Sequence, residues 1–272
     1  MNLIFALLRE SRWLAGGLIL VALVLMREVG YWLGRHHRAR DSGEREGVGL
    51  VVGAMLGLMA FVLALSLNVA HTRFEERRTA TLAEANAIGT AILRARATGE
   101  AHGARIAELV QEYGKARLEF VQASSDRRVL AAIEQRTAEL QEDIWAQMSA
   151  LVQARTDPLT TSLMAALNET FDAATAERFT HVAPLAARLF WLLAVMTLLS
   201  AVGLGYQLGL RGTSIRPLSV LLTVMWTILI LEIFDLGAPR DGAIRTAAVA
   251  YEWALSPVPV RPGAPPSPSN PR

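Results

Sequence analysis

Residues 48–98 read VGLVVGAMLGLMAFVLALSLNVAHTRFEERRTATLAEANAIGTAILRARAT. The first part, Val48 to Ala70, is 23 residues without a charge. A helix rises about 1.5 Å per residue, so about 20 such residues cross the hydrocarbon core of a bilayer. No Pro and no turn cluster follows Ala70. The residues that come next are mainly Glu, Arg, Ala and Leu, which favour helix. The stretch predicts one rod that leaves the membrane and continues as a helix in water to about Thr98. Fifty residues of such a rod span roughly 75 Å.

Three more apolar stretches surround this one. Leu189 to Leu210 is broken only by Gln207, and Leu218 to Leu236 carries Glu232 and Asp235 near its end. Trp13 to Leu33 is weaker, because Arg27-Glu28 follows a core of only Leu14 to Met26. A signal peptide is the alternative for this segment, but Arg27-Glu28 stands where a small-residue cleavage site belongs. We read it as an uncleaved helix whose Arg27 snorkels to the interface. The expected fold is therefore all-α, a membrane protein of about four transmembrane helices with a helical bundle inserted between the second and third.

The expected layout is residues 1–70 for the first two spans, 71–183 for the bundle and 184–238 for spans three and four. Residues 239–255 form a post-membrane segment, and 256–272 a disordered Pro-rich tail. Within the bundle, Gly99 to Gly103 reads as a break and Ala104 to Gln122 as a helix. Ile106, Leu109, Val110, Tyr113 and Phe120 share a face of that helix, with Leu118 off the stripe. Ser124-Ser125-Asp126 caps a helix over 126–154, and Asp157-Pro158 starts another that runs toward His181. Pro184 kinks or restarts the chain before span three. The tail from Ser256 holds seven of the eleven prolines, so it forms neither helix nor ladder.

Hydrophobic residues make up 52% and charged residues 19% of the chain, against roughly 25% charged in soluble domains. There is no cysteine, so no disulfide framework. The pI is about 9.4, but Arg and Glu are interleaved without an aromatic-basic patch, and no nucleic-acid partner is expected. Four spans place both termini and residues 71–183 on one side. That side has Arg9, Arg12, Arg73, Arg77, Arg78, Arg188, Arg240 and Arg245 near the spans. The other has loop 34–47, with Arg35, Arg38, Arg40 and Arg45, and loop 211–217, with Arg211 and Arg216. The count leans to cytoplasmic termini in a bacterial inner membrane.

Several residue groups are candidates for function. Gly49, Gly53, Gly57, Ala60, Ala64 and Asn68 share one face of span two. A bare face serves close helix packing or a pore wall. Arg73, Glu75, Glu76, Arg77 and Arg78 form a charged collar, either a solvated interfacial band held by local pairs or a ring filtering ions. Glu84, Asn86 and Gly89 lie in an Ala-rich packing seam, where Glu84 and Asn86 hydrogen-bond a neighbouring helix. Glu28, Glu232 and Asp235 are ionisable groups near membrane depth, close to span ends. Arg240 pairs with Asp235 or a lipid phosphate. The five histidines show no metal-ligand spacing, and no catalytic triad, Walker loop or dinucleotide fingerprint is present. No cofactor and no enzymatic activity are expected.

Arg73-Phe74-Glu75, Arg77-Arg78 and Glu84-Ala85-Asn86-Ala87-Ile88-Gly89-Thr90, directly after a glycine-rich span, resemble the signature of a bacterial membrane-protein family called bestrophin-like. Glu28-Val29-Gly30 with Gly34-Arg35 resembles the end of that family's first span. Leu167-Asn168 with Asp172 resembles its helix before span three. Asp235, Pro239-Arg240, Gly242 and Arg245 resemble its segment after span four, although Gly237-Ala238 departs from the usual acidic-basic pair there. The resemblance implies four spans, cytosolic termini and kinship with bestrophins, which are pentameric anion or cation channels. The favoured expectation is an oligomeric ion channel with span two lining the path, and with the lipid bilayer, inorganic ions and further copies of the chain as partners. The alternative is a membrane-anchored scaffold or sensor whose helical domain binds proteins.

Overall fold

A computed structural model of the chain describes residues 12–37, 42–182, 187–212, 215–238, 240 and 248–256. Arg38, Arg40, Pro184, Pro239, Gly242, Arg245 and the Pro-rich stretch past Ser256 lie outside the described residues. Every described element is a helix: α1 (Arg12–His36), α2 (Ser42–Ala97), α3 (Ala101–Gln122), α4 (Arg127–Ala154), α5 (Pro158–Val182), α6 (Ala187–Arg211), α7 (Arg216–Gly237) and α8 (Val249–Leu255). Arg35 and Arg45 therefore stand on helices rather than in a loop.

The rod is α2. Its 56 residues form one unbroken helix. It stops where Gly99 takes φ +68°, a left-handed conformation that glycine adopts without a Cβ penalty. The expected break at 99–103 is shorter than that. The chain is helical again from Ala101, and Gly103 sits inside α3 against Thr98, where an added Cβ would lie 1.8 Å from its Oγ1. A single left-handed residue suffices to reverse the chain, so no five-residue loop is needed.

Caps start the next two helices as their sequences require. Asp126 accepts from the Arg128 N–H at 2.9 Å. Asp157 accepts from the Thr160 N–H at 2.8 Å, and Pro158 takes the first helical position, whose N–H would otherwise have no partner. The Thr160 N–H, and then Arg155, hold the Asp157 carboxyl down at about 2. A depressed carboxyl stabilises the fold above its unfolded value of about 3.9 and loses that contribution as pH falls toward the folded value. Thermal unfolding scans should show the wild type losing stability between about pH 4 and about pH 2 through this site. Asp157→Asn should show less of that acid loss.

Two cores divide the molecule. The first joins α1, the front half of α2, α6 and α7 through residues such as Leu23, Met59, Leu63, Trp226 and Ile233. The second joins the back half of α2 with α3, α4, α5 and α8 through Ile88, Ile106, Tyr113, Ile144, Leu163 and Tyr251. All four helices of the first core except the back of α2 are long and apolar enough to cross a membrane. Their outer faces carry exposed Leu18, Leu25, Leu58, Leu199, Leu218, Met225 and Ile228. Water does not tolerate such a jacket, and a bilayer does. Trp13 and Trp32 are both exposed near opposite ends of α1. Nineteen residues separate them, roughly 28 Å along a helix, close to the hydrocarbon thickness.

The tightest contact in the membrane part is between α1 and α6, which run parallel. Gly30 and Gly34 of α1 meet Val202 and Tyr206. Gly205 and Gly209 of α6 meet Arg27 and Tyr31. Each helix carries a G-x-x-x-G pair, and the two pairs interlock. A Cβ on any of the four would lie 2.0–2.2 Å from a carbonyl oxygen of the partner helix, so the backbones touch directly. This seam was not anticipated from the sequence, where attention fell on the glycines of span two.

Arg27 also departs from expectation. It does not snorkel outward. Its side chain is buried, donating to the Ser219 hydroxyl of α7 and to Glu28. A buried hydroxyl and a half-buried neighbouring carboxylate replace the water that snorkelling would have reached.

Candidate functional site

Along α2, residues 53, 57, 60, 64, 68, 71, 75, 78 and 82 fall within an arc of roughly 80° at 100° per residue. Gly53, Gly57, Ala60, Ala64 and Asn68 are all exposed on this face. A Cβ added at Gly53 or Gly57 meets nothing within 4 Å. Gly49 differs: it is half-buried, beside Gln207 and Arg211 of α6. The small-residue face is thus not a packing seam within the chain. Large exposed side chains, Leu58, Phe61 and Leu65, flank it.

The same face continues without a joint into the collar. His71 and Arg78 are exposed and Glu75 is half-buried. Arg73 donates to Glu76 at 3.2 Å, and Arg78 lies 3.7 Å from Glu75. Both are i,i+3 pairs at the surface, so each contributes little stability but cancels charge locally. Arg77 does not join this solvated band. It is buried and donates to the Leu236 carbonyl of α7 at 2.5 Å. The α7 C-terminus offers carbonyls without helical partners, and a guanidinium satisfies one of them.

About two turns further, the signature segment reaches a dense buried polar cluster. Glu84 is fully buried. Arg117 of α3 donates to it twice, Nε to Oε1 at 2.5 Å and Nη2 to Oε2 at 3.0 Å. The same Nη2 donates to Glu177 of α5 at 2.8 Å. The Tyr251 hydroxyl of α8 donates to Glu84 Oε2 at 2.7 Å. Burial, then the charges of Glu84 and Glu177, push the Tyr251 phenol well above its ordinary range, so it stays a donor. Glu177 Oε1 faces His181 Nδ1 at 3.0 Å. Among the described residues, two buried carboxylates face one guanidinium here, and burial, the largest influence, raises the Glu84 carboxyl above its ordinary range. Four helices meet at this cluster.

The Glu84-to-Gly89 run borders this cluster. It is the docking site of α8. Ala254 lies 3.6 Å from a Cβ placed on Gly89, and Leu255 reaches toward Gly114 of α3. Asn86 points away and is exposed. Phe120 of α3 lies between two guanidinium groups, Arg117 at 4.6 Å and Arg240 at 4.4 Å from the ring centre. Arg240 also donates to the Phe120 and Ala123 carbonyls, at 2.6 and 3.3 Å. It ties the segment after α7 to the end of α3. Asn168 and Asp172 are exposed on α5, Asp235 is buried in α7, and Glu28 is half-buried beside Arg27. None of these four joins the cluster around Glu84. Arg117, Glu177 and Tyr251 were not singled out from the sequence. A lone Arg on the apolar face of α3 was the available signal.

The fold has solved counterparts. A crystal structure of a single-residue variant of a bacterial bestrophin homologue from Klebsiella pneumoniae superimposes with a TM-score of 0.63 at 15% identity, covering 88% of this chain and 96% of that one. A second variant of the homologue gives a TM-score of 0.65 at 15% identity, covering 87% and 96%. A third gives 0.63 at 13% identity, covering 88% and 95%. No curated protein sequence matches the chain. The bestrophin-like domain is matched over residues 16–251. That stretch takes in all four apolar helices, the bundle and Tyr251, and the chain belongs to the bestrophin-like family.

Proposed function

We propose that the protein is an oligomeric ion channel of a bacterial inner membrane, with the Gly53-to-Asn68 face of α2 lining the path. The observation that carries this reading is the exposed bare face on a helix without a joint, continuing from membrane depth into a charged collar. A four-helix subunit with so few polar groups at membrane depth encloses no wet route alone, so several copies arranged around an axis supply the wall. Kinship with bestrophins agrees with such a ring. Residues 71–183 and both termini are cytoplasmic in this reading, on the arginine bias.

Purified protein in planar bilayers should give unitary currents, and its detergent-solubilised mass should be that of a closed ring. Ala64→Trp places a bulky ring on the bare face. It should cut unitary conductance at least severalfold while leaving the complex mass unchanged. A monomer or dimer that co-purifies with another protein through residues 99–180, and carries no current, would favour the scaffold reading instead.

A further inference from the structure

On the exposed α2 face the wall from Gly53 to Ala64 has no charge, and Asn68 adds only a neutral amide. The first ionisable group below it is His71, exposed, one turn above Glu75. Glu75 is countered by Arg78 at 3.7 Å and Glu76 by Arg73 at 3.2 Å. Each pair is neutral as a unit. The contact between α2 and α7 lies on another side, through Ala70, Phe74 and Arg77; Asp235 is buried in α7, and Glu232 lies about 200° around that helix from the buried Ile230. Among the described residues, the net charge of this face at the inner mouth is therefore decided by one imidazole.

We propose that His71 sets the ion preference of the path and makes it depend on pH. This rests on the channel reading above and deepens it. Histidine is the side chain whose charge ordinarily changes between about pH 5 and 8. In a ring of identical subunits each copy contributes one His71 at the same height. Neutral imidazoles leave a mouth whose carboxylates and guanidiniums balance. Protonated imidazoles make it a ring of positive charge, which concentrates anions and repels cations. The ring forms only in the assembly, since one copy presents a single imidazole.

The test is the reversal potential of the reconstituted oligomer under a potassium chloride gradient at about pH 8 and about pH 5.5. The wild type should shift toward the chloride equilibrium potential at the lower pH, a severalfold rise in the chloride-to-potassium permeability ratio. His71→Ala should conduct with no such shift. His71→Arg should prefer chloride at both values. Glu75→Gln should move the preference toward chloride at both values yet keep the pH response. A conducting wild type with no pH response, or an undiminished response in His71→Ala, overturns the inference and leaves the channel reading standing. An assembled ring that carries no current overturns the channel reading, and this inference falls with it.

Discussion

Arg117→Met should prevent the protein from accumulating as a folded complex at its normal temperature. Arg117 bridges Glu84 and Glu177, each of them fully buried. Its removal strands two carboxylates inside the bundle, next to Tyr251 and His181. Breaking a buried pair by removing one partner typically costs about 3–5 kcal/mol, a large part of the stability of a domain. Size-exclusion profiles and thermal unfolding in detergent would show it as loss of the main peak and a Tm lowered by many degrees. The double change Arg117→Met with Glu84→Met should recover part of the loss, because a well-packed apolar pair often replaces a buried ion pair without penalty. An unchanged Tm for the single variant would mean that the cluster does not hold the bundle together.

Gly205→Leu should separate α1 from α6. A Cβ there already lies 2.0 Å from the Arg27 carbonyl oxygen, and that atom is backbone, which cannot rotate aside. Overpacking of a single site costs about 1–3 kcal/mol and more where nothing can yield. Gly34→Ala should show the same loss in milder form, with its Cβ 2.1 Å from the Tyr206 oxygen. Gly53→Ala and Gly57→Ala are the contrast, since both positions open on free space. They should leave thermal stability of the subunit where it is. The chain has no cysteine, so cysteines introduced on α1 and α6 report the separation directly by cross-linking. Equal loss in all four variants would remove the distinction between a seam within the subunit and a face left open by it.

The rod, the caps and the four apolar helices were legible because each depends on residues adjacent in sequence. Twenty-three uncharged residues followed by helix formers specify α2 almost alone, and Asp157-Pro158 specifies the start of α5. Contacts between distant segments were not legible. Arg27 was assigned to the interface because nothing near it in sequence offers an acceptor except Glu28, while Ser219 is 192 residues away. Arg77 was placed in the solvated collar for the same reason, and its acceptor is the far end of α7. The interlocking glycines of α1 and α6 were present as two G-x-x-x-G pairs, but a pair shows its partner only when both helices are known to be neighbours. Glu84 was picked out with its need for a neighbouring helix, and the identity of that neighbour came only with the fold.

The hydroxyl that completes the Glu84 site belongs to a residue 167 positions further along the chain. During synthesis, Glu84 and Arg117 leave the ribosome long before Tyr251 does. Between those moments two more hydrophobic segments must enter the lipid. The Glu84 carboxylate therefore gains its last hydrogen bond only after insertion is complete, and a nascent chain stalled between spans three and four keeps an unfinished, loosened extramembrane bundle.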